Sequence, residues 1–264
     1  MDVLLAQLIP SGDVARDAAR VSEILEQNTD AGLAVFPELF IGGYETADPG
    51  PVAIDADGAE LTAISDSCAR HATAAVFGFT ERLGGPSFAN SAACFDRDGR
   101  LAGIYRKTHL FGTSEGTFFD PGRELILVDL ADTRVGPMIC FDMEFPETAR
   151  LLAVSGARLL VTLSANMAPY GPDHRVAACA RALDNRLPHI YVNRVGSVPG
   201  IEFIGGSCVI GPDGSVRHDA GTAEGVFEFS CQLDQGLAPE VDYLKQLRTD
   251  LVVSIPNVSS GGEL

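Results

Sequence analysis

The chain has 264 residues, 46% of them apolar and 21% charged, and its 19 basic residues set against 36 acidic ones leave a formal net charge of −17. That length suits a single α/β domain over residues 1–264 with a large buried core, and the composition excludes a disordered chain. A surface this acidic repels phosphate backbones and anionic bilayers, which argues against nucleic-acid and membrane partners.

The N-terminal segment MDVLLAQLIPSGD has no basic n-region, and no apolar run approaches a membrane span, so a cytoplasmic protein without a targeting segment is expected. Asp2–Ile9 reads as a strand. After the Ser11-Gly12-Asp13 turn, Val14, Ala18, Val21, Ile24 and Leu25 recur at helical spacing, and Leu33–Phe36 completes a β-α-β unit. Leu61–His71 reads as a helix and Thr73–Phe79 as a strand. Ser91–Asp96 and Leu101–Arg106 flank Arg97-Asp98-Gly99-Arg100, a hairpin signal. Glu124–Leu130 and Thr133–Cys140 follow as strands, Pro146–Ser155 as a helix, Arg158–Leu163 as a strand, Asp173–Asn185 as a helix and His189–Arg194 as a strand. Phe203–Ile210 and Gly225–Phe229 surround a second Asp-Gly turn at Asp213-Gly214. Beyond Cys231 the pattern fades, and Ser259–Leu264 reads as a frayed end. This alternation predicts a mixed α/β sheet covered by helices, with functional groups just beyond the C-terminal ends of strands.

Three strand ends carry reactive side chains. In Ala34-Val35-Phe36-Pro37-Glu38 a carboxylate follows an apolar strand that a proline terminates. Partly desolvated there, Glu38 suits general acid–base work, although a helix-start glutamate would look the same. In Ile104–Phe111, Lys107 follows a strand among apolar residues; a partly buried ammonium stabilises an oxyanion or thiolate, and the plainer alternative is a lysine snorkelling from a sheet edge. His109 lies near in sequence, but no histidine adjoins a cysteine, so a Cys–His pair is a minor alternative.

At the third strand end, Val135–Glu147, a strand runs into Cys140, then a polar turn, then a helix opened by Pro146. A thiol at such an elbow is exposed at the sheet's edge, a nearby helix N-terminus favours its thiolate, and the N–H of Phe141 can face a substrate oxygen. Cys94, Cys179, Cys208 and Cys231 lie inside regular segments and read as structural. With Cys68 and Cys140 they form no C-x-x-C pair and no Cys/His cluster, which argues against disulfides and a zinc site.

Phe36–Tyr44 (F-P-E-L-F-x-x-G-Y), Tyr105–Phe111 (Y-R-K-T-H-L-F), Cys140–Glu147 (C-F-D-M-E-F-P-E), Ala180–Gly196 and Phe203–Ser207 together resemble the nitrilase superfamily of carbon–nitrogen hydrolases over nearly the whole chain. The resemblance implies a four-layer αββα sandwich that pairs through helices into a homodimer or higher homo-oligomer. It implies Glu38 as general base, Lys107 on the oxyanion side and Cys140 as nucleophile, with no metal or organic cofactor. It also assigns a second, positioning glutamate to Glu115; from the residues alone Glu115 equally fits an exposed loop carboxylate. Substrate contacts are expected from Phe141, Tyr44 and Met167, the last standing in Ser164–Tyr170 where relatives often carry Trp; this chain has none. C-F-D-M-E-F-P-E is similar to the amidase-type branch, which hydrolyses small amides, and no synthetase domain follows. The alternatives are hydrolysis of N-carbamoyl amines, hydrolysis of nitriles, and a non-catalytic scaffold. For Arg175, Arg181, Asn185 and Arg186 an interface, a salt-bridge network and simple solubility all remain open.

Overall fold

The computed structural model describes residues 1–28, 30–44, 48–233 and 238–251; the frayed end expected over 259–264 lies outside them. The first half contributes β1 (Asp2–Gln7), α1 (Val14–Gln27), β2 (Leu33–Val35), α2 (Ala59–His71), β3 (Ala74–Gly84), β4 (Ser87–Phe95), β5 (Leu101–Arg106) and α3 (Gly112–Phe118). Asp13 starts α1 by accepting the Arg16 N–H at 2.9 Å, which satisfies one of the helix's free donors. The second half contributes β6 (Val128–Leu130), β7 (Thr133–Ile139), α4 (Pro146–Val154), β8 (Leu159–Ser164), α5 (Gly171–Asn185), β9 (His189–Asn193), β10 (Val195–Val198), β11 (Ile201–Ile204), β12 (Cys208–Ile210), β13 (Val216–Asp219) and β14 (Gly225–Ser230).

These strands form two six-stranded mixed sheets, ordered β14-β1-β2-β3-β4-β5 and β13-β12-β9-β8-β7-β6, and a small β10-β11 ribbon. Strand periodicity explains how they stack. Along β1, Val3 and Leu5 point into an apolar layer shared with Val135, Val161, Leu163 and Val192 of the other sheet. The alternate residues Leu4 and Ala6 point away from that layer, onto Val21, Leu25, Leu61 and Ile64 of α1 and α2. Met138 and Leu160 do the same on the second sheet, packing on Ala149 and Leu152 of α4. Buried on both faces, the central strands read as continuous apolar runs. The result is the expected αββα order of layers. Among the described residues no helix is long and apolar enough to cross a membrane.

Several expectations need correction. Strand pairing over Glu124–Leu130 begins only at Val128, because Leu125 and Ile126 pack against the core without joining a ladder. Phe203–Ile210 is two strands, interrupted where Gly205 and Gly206 adopt φ of +66° and +77°, a left-handed conformation that glycine accepts without steric cost. The Asp213-Gly214 turn joins β12 to β13, whereas β14 crosses to the first sheet and pairs antiparallel with β1. The β3–β4 hairpin and the short helix α3 have no counterpart in the sequence reading.

Candidate active site

The three strand ends converge between the sheets. Glu38 follows β2 on a tight segment, with Leu39 at φ +47°. This segment lies directly on β3, where Gly78 N donates to Pro37 O at 3.1 Å and Gly78 O accepts from Ile41 N at 3.0 Å. A β-carbon at Gly78 would stand 2.3 Å from Leu39 N, so only glycine lets the two backbones approach this closely. Lys107 follows β5 and is tied to β4 by its N–H to Asn90 O at 2.9 Å. Cys140 directly follows β7 and opens a 3-10 helix, Cys140–Glu144. Its φ is +47°, a strained conformation for a residue with a side chain; such strain persists only where surrounding contacts enforce it.

The Lys107 ammonium is at the centre, 2.6 Å from Glu38 Oε1 and 2.9 Å from Glu115 Oε2. All three side chains are buried, so Lys107 does not snorkel and Glu115 is not an exposed loop carboxylate. Glu38 also accepts from Asn90 Nδ2 at 2.7 Å and from Ala165 N at 2.8 Å. Glu115 sits on α3, accepting from Phe111 N and from Tyr44 Oη, each at 2.8 Å. Burial opposes the Lys107 charge, but Glu38 and Glu115 more than offset it and hold its pKa well above the usual lysine range.

Cys140 departs from expectation: it is buried rather than exposed, with 8% of its surface accessible. Burial, reinforced by the Glu38 charge, raises its thiol pKa, while Lys107 and a hydrogen bond from Ser164 act the other way without prevailing. The helix N-terminus expected to favour the thiolate does not decide the outcome. All six cysteines are free. Cys94, whose thiol burial pushes up to about 12, lies in the core between the sheets, remote in kind from this polar cluster. Cys179 is only half-buried, and Cys231 lies just past β14 rather than inside a strand.

Asp142, which the sequence did not single out, holds the Cys140 turn. Asp142 accepts from Ile139 N at 3.1 Å and Tyr105 Oη at 2.7 Å, and on its other oxygen from Thr108 Oγ1 at 2.7 Å and His109 N at 2.8 Å. It thereby ties the Cys140 turn to the segment carrying Lys107. Burial works against its charge, but hydrogen bonds from His109, Thr108 and Tyr105 prevail and keep its pKa below the usual carboxylate value. His109 is thus Asp142's partner, its ring stacked 4.0 Å from Phe145. Arg181 braces the same turn from α5, donating to Met143 O at 3.0 Å.

The substrate-contact candidates lie around this cluster. Tyr44 packs edge-on against Phe203 at 5.9 Å, and Met167 forms a β-bridge with Phe203, so those two are brought together; the Tyr44 hydroxyl is engaged by Glu115. Phe141 packs edge-on against Phe111 and Phe145, at 5.4 and 5.1 Å, as part of an aromatic wall. Arg175 pairs with Asp219, Asn185 donates to Arg181 O, and Arg186 stacks over Tyr243, all within the chain.

A family model described as carbon–nitrogen hydrolase matches residues 5–236. An (R)-stereoselective amidase of Pseudomonas sp is 39% identical over 254 residues, covering 94% of this chain and 92% of that protein. A nitrilase of Pyrococcus abyssi is 35% identical over 221 residues, 82% of each chain. Among solved structures, an amidase from Nesterenkonia sp. is similar in fold, with a TM-score of 0.81 at 24% identity over 94% of this chain and 93% of that one.

Proposed function

Because the chain belongs to the carbon–nitrogen hydrolase family, the nitrilase superfamily, we propose that it hydrolyses small carboxamides to the acid and ammonia through a thioester on Cys140. The observation that carries this reading is a buried thiol beside a Glu38–Lys107–Glu115 charge cluster. A thiol raised above its ordinary range stays protonated until a base removes the proton, and Glu38 is that base.

As the Cys140 sulfur attacks the amide carbon, its proton passes to Glu38, and the carbonyl oxygen becomes an oxyanion facing Lys107 and the Phe141 N–H. One such donor is worth roughly 3 kcal/mol in the transition state. Glu38 then protonates the amide nitrogen, the C–N bond breaks and ammonia leaves. Water enters, gives a proton to Glu38 and attacks the thioester; the sulfur departs and recovers its proton. Glu115, steadied by Tyr44 and Phe111, holds the amide in line for attack. Tyr44, Phe141 and Met167 line the space for the acyl group. The similarity to an (R)-stereoselective amidase supports amides over other substrates. Exposed Leu151 and Val154 on α4 and Val176 on α5 support pairing of two copies through the outer helices.

The test is ammonia release from a graded panel of aliphatic amides by wild-type protein and Cys140→Ala. Loss of release in the variant is expected, and wild-type release would remove Cys140 as nucleophile. Turnover of added N-carbamoyl amines alone, with carbon dioxide released, would instead mark an N-carbamoyl amine hydrolase, and turnover of added nitriles alone a nitrilase.

A further inference from the structure

A second set of polar side chains, outside the Glu38–Lys107–Glu115 cluster, reaches the Cys140 sulfur. Ser164, the last residue of β8, lies with its Oγ 3.4 Å from Cys140 Sγ. Tyr191 on β9 lies with its Oη 3.1 Å from Ser164 Oγ. His174 on α5 has Nδ1 at 3.1 Å from Tyr191 Oη and Nε2 at 2.9 Å from Glu144 Oε1. Ser164, Tyr191 and His174 are buried, whereas the Glu144 side chain is one-third exposed. A continuous line of hydrogen bonds therefore runs from the nucleophile to the surface.

We propose that Ser164 donates a hydrogen bond to the Cys140 sulfur whenever it carries negative charge, and that Tyr191, His174 and Glu144 are positioning residues that aim this donor. This rests on the reading of Cys140 as nucleophile.

Hydrogen accounting fixes the direction. Ser164 has one hydrogen and two lone pairs. The Asn166 N–H, which can only donate, points at one lone pair from 3.2 Å as the longer arm of a hydrogen shared with Asn193 Oδ1 at 2.8 Å. A sulfur anion can only accept, so it takes the Ser164 hydrogen, and Tyr191 donates into the remaining lone pair. Tyr191 Oη then offers His174 only lone pairs, so Nδ1 carries a hydrogen. With Nδ1 occupied, Nε2 and the Glu144 oxygen must share one proton across 2.9 Å. Burial holds His174 down at about 4, and burial with the Asp173 charge raises Glu144. The other charged or titratable groups facing this line are Glu38 and Lys107 at the sulfur, Cys208 beside Tyr191, and Asp173 beside Glu144.

The sulfur is anionic twice, during attack and again when the thioester breaks. Lys107 is committed to two carboxylates, so Ser164 is the hydroxyl that meets that charge directly. A chain of aligned donors also polarises its last member, strengthening what the sulfur receives.

Alkylation of Cys140 by iodoacetamide, located by mass spectrometry and followed against pH, reads the sulfur without requiring turnover. Ser164→Ala should raise the midpoint of that profile by about one pH unit. Tyr191→Phe, which keeps the ring in the core, should raise it by less. Histidine ring 15N spectra, assigned with His174→Gln and recorded where the sulfur is ionised, should place a hydrogen on Nδ1 of His174 and lose that signature in Tyr191→Phe. An unmoved midpoint in Ser164→Ala overturns the proposal. A midpoint unmoved or lowered in Tyr191→Phe, or a His174 hydrogen on Nε2 alone, overturns the relay behind Ser164. Ammonia release retained by Cys140→Ala would strike the nucleophile reading instead, and that assay is independent of the alkylation profile.

Discussion

The Lys107 ammonium lies 2.6 Å from the Glu38 carboxylate in a space closed to solvent. Neither charge would be stable there alone, and Glu115 completes the balance. Lys107→Met therefore leaves two buried carboxylates without a cation. We expect it to abolish ammonia release and to cost about 3–5 kcal/mol of stability, measured by urea denaturation. A variant as stable as wild type would mean that the carboxylates find other partners.

Glu38→Gln separates base chemistry from burial. Ammonia release should fall roughly 10²–10⁴-fold, as for loss of a positioned general base. The Glu38 charge raises the Cys140 pKa, so removing it lowers that pKa. Iodoacetamide should then alkylate Cys140 faster at a given pH even as turnover fails. Alkylation slowed in parallel with turnover would contradict the role given to Glu38.

Gly78 is distant from the chemistry but fixes its geometry. An added methyl group 2.3 Å from Leu39 N must push the Pro37–Leu39 segment off β3 and carry Glu38 with it. Displacement of a catalytic group by about 1 Å costs on the order of 100-fold in rate. Gly78→Ala should show that loss in kcat, while Gly84→Ala, where the space is open but φ is +99°, should affect stability alone. Equal rates for the two variants would dismiss the packing argument.

Acid stability follows from His189. Its Nδ1 donates to Ala178 O at 3.1 Å, and its Nε2 lies 2.8 Å from Thr162 Oγ1, a hydroxyl that donates to the neutral ring. Burial holds its pKa down at about 4. As pH falls below the ordinary histidine value of about 6.5, the unfolded chain gains a proton that the fold refuses. Stability is thus intact above that value and declines toward pH 4, by up to about 3 kcal/mol from this residue. His189→Gln, less stable at pH 7, should lose less between pH 7 and 4.5 in urea unfolding. An equal loss would place the acid sensitivity elsewhere.

The three strand ends were legible because an apolar run that stops at a reactive side chain is a local pattern, present at Glu38, Lys107 and Cys140. Glu115 was visible only through family resemblance, since α3 is too short and too polar to show helical periodicity. Asp142, Ser164, Tyr191 and His174 were not legible. Their roles depend on which strand lies beside which, and on α5 crossing the second sheet. The same limit applies to β14: its composition marks a strand, but nothing local reveals that it belongs to the opposite sheet. Exposure of Cys140 was misjudged because the elbow geometry was read without the residues of β8 and β9 that cover it.

The pairing of β14 with β1 joins Asp2 to Ser230, and the N-terminal ammonium adds a bond to Cys231 O at 3.0 Å. During synthesis, β1 emerges long before β14 and waits with an open edge until that strand has been made. Contacts of such sequence separation form slowly, because a long loop must close before they repay it. The sheet behind Glu38 and Lys107 is consequently the last to be completed, so partial chains leaving the ribosome hold Cys140 without the finished sheet that carries those two groups.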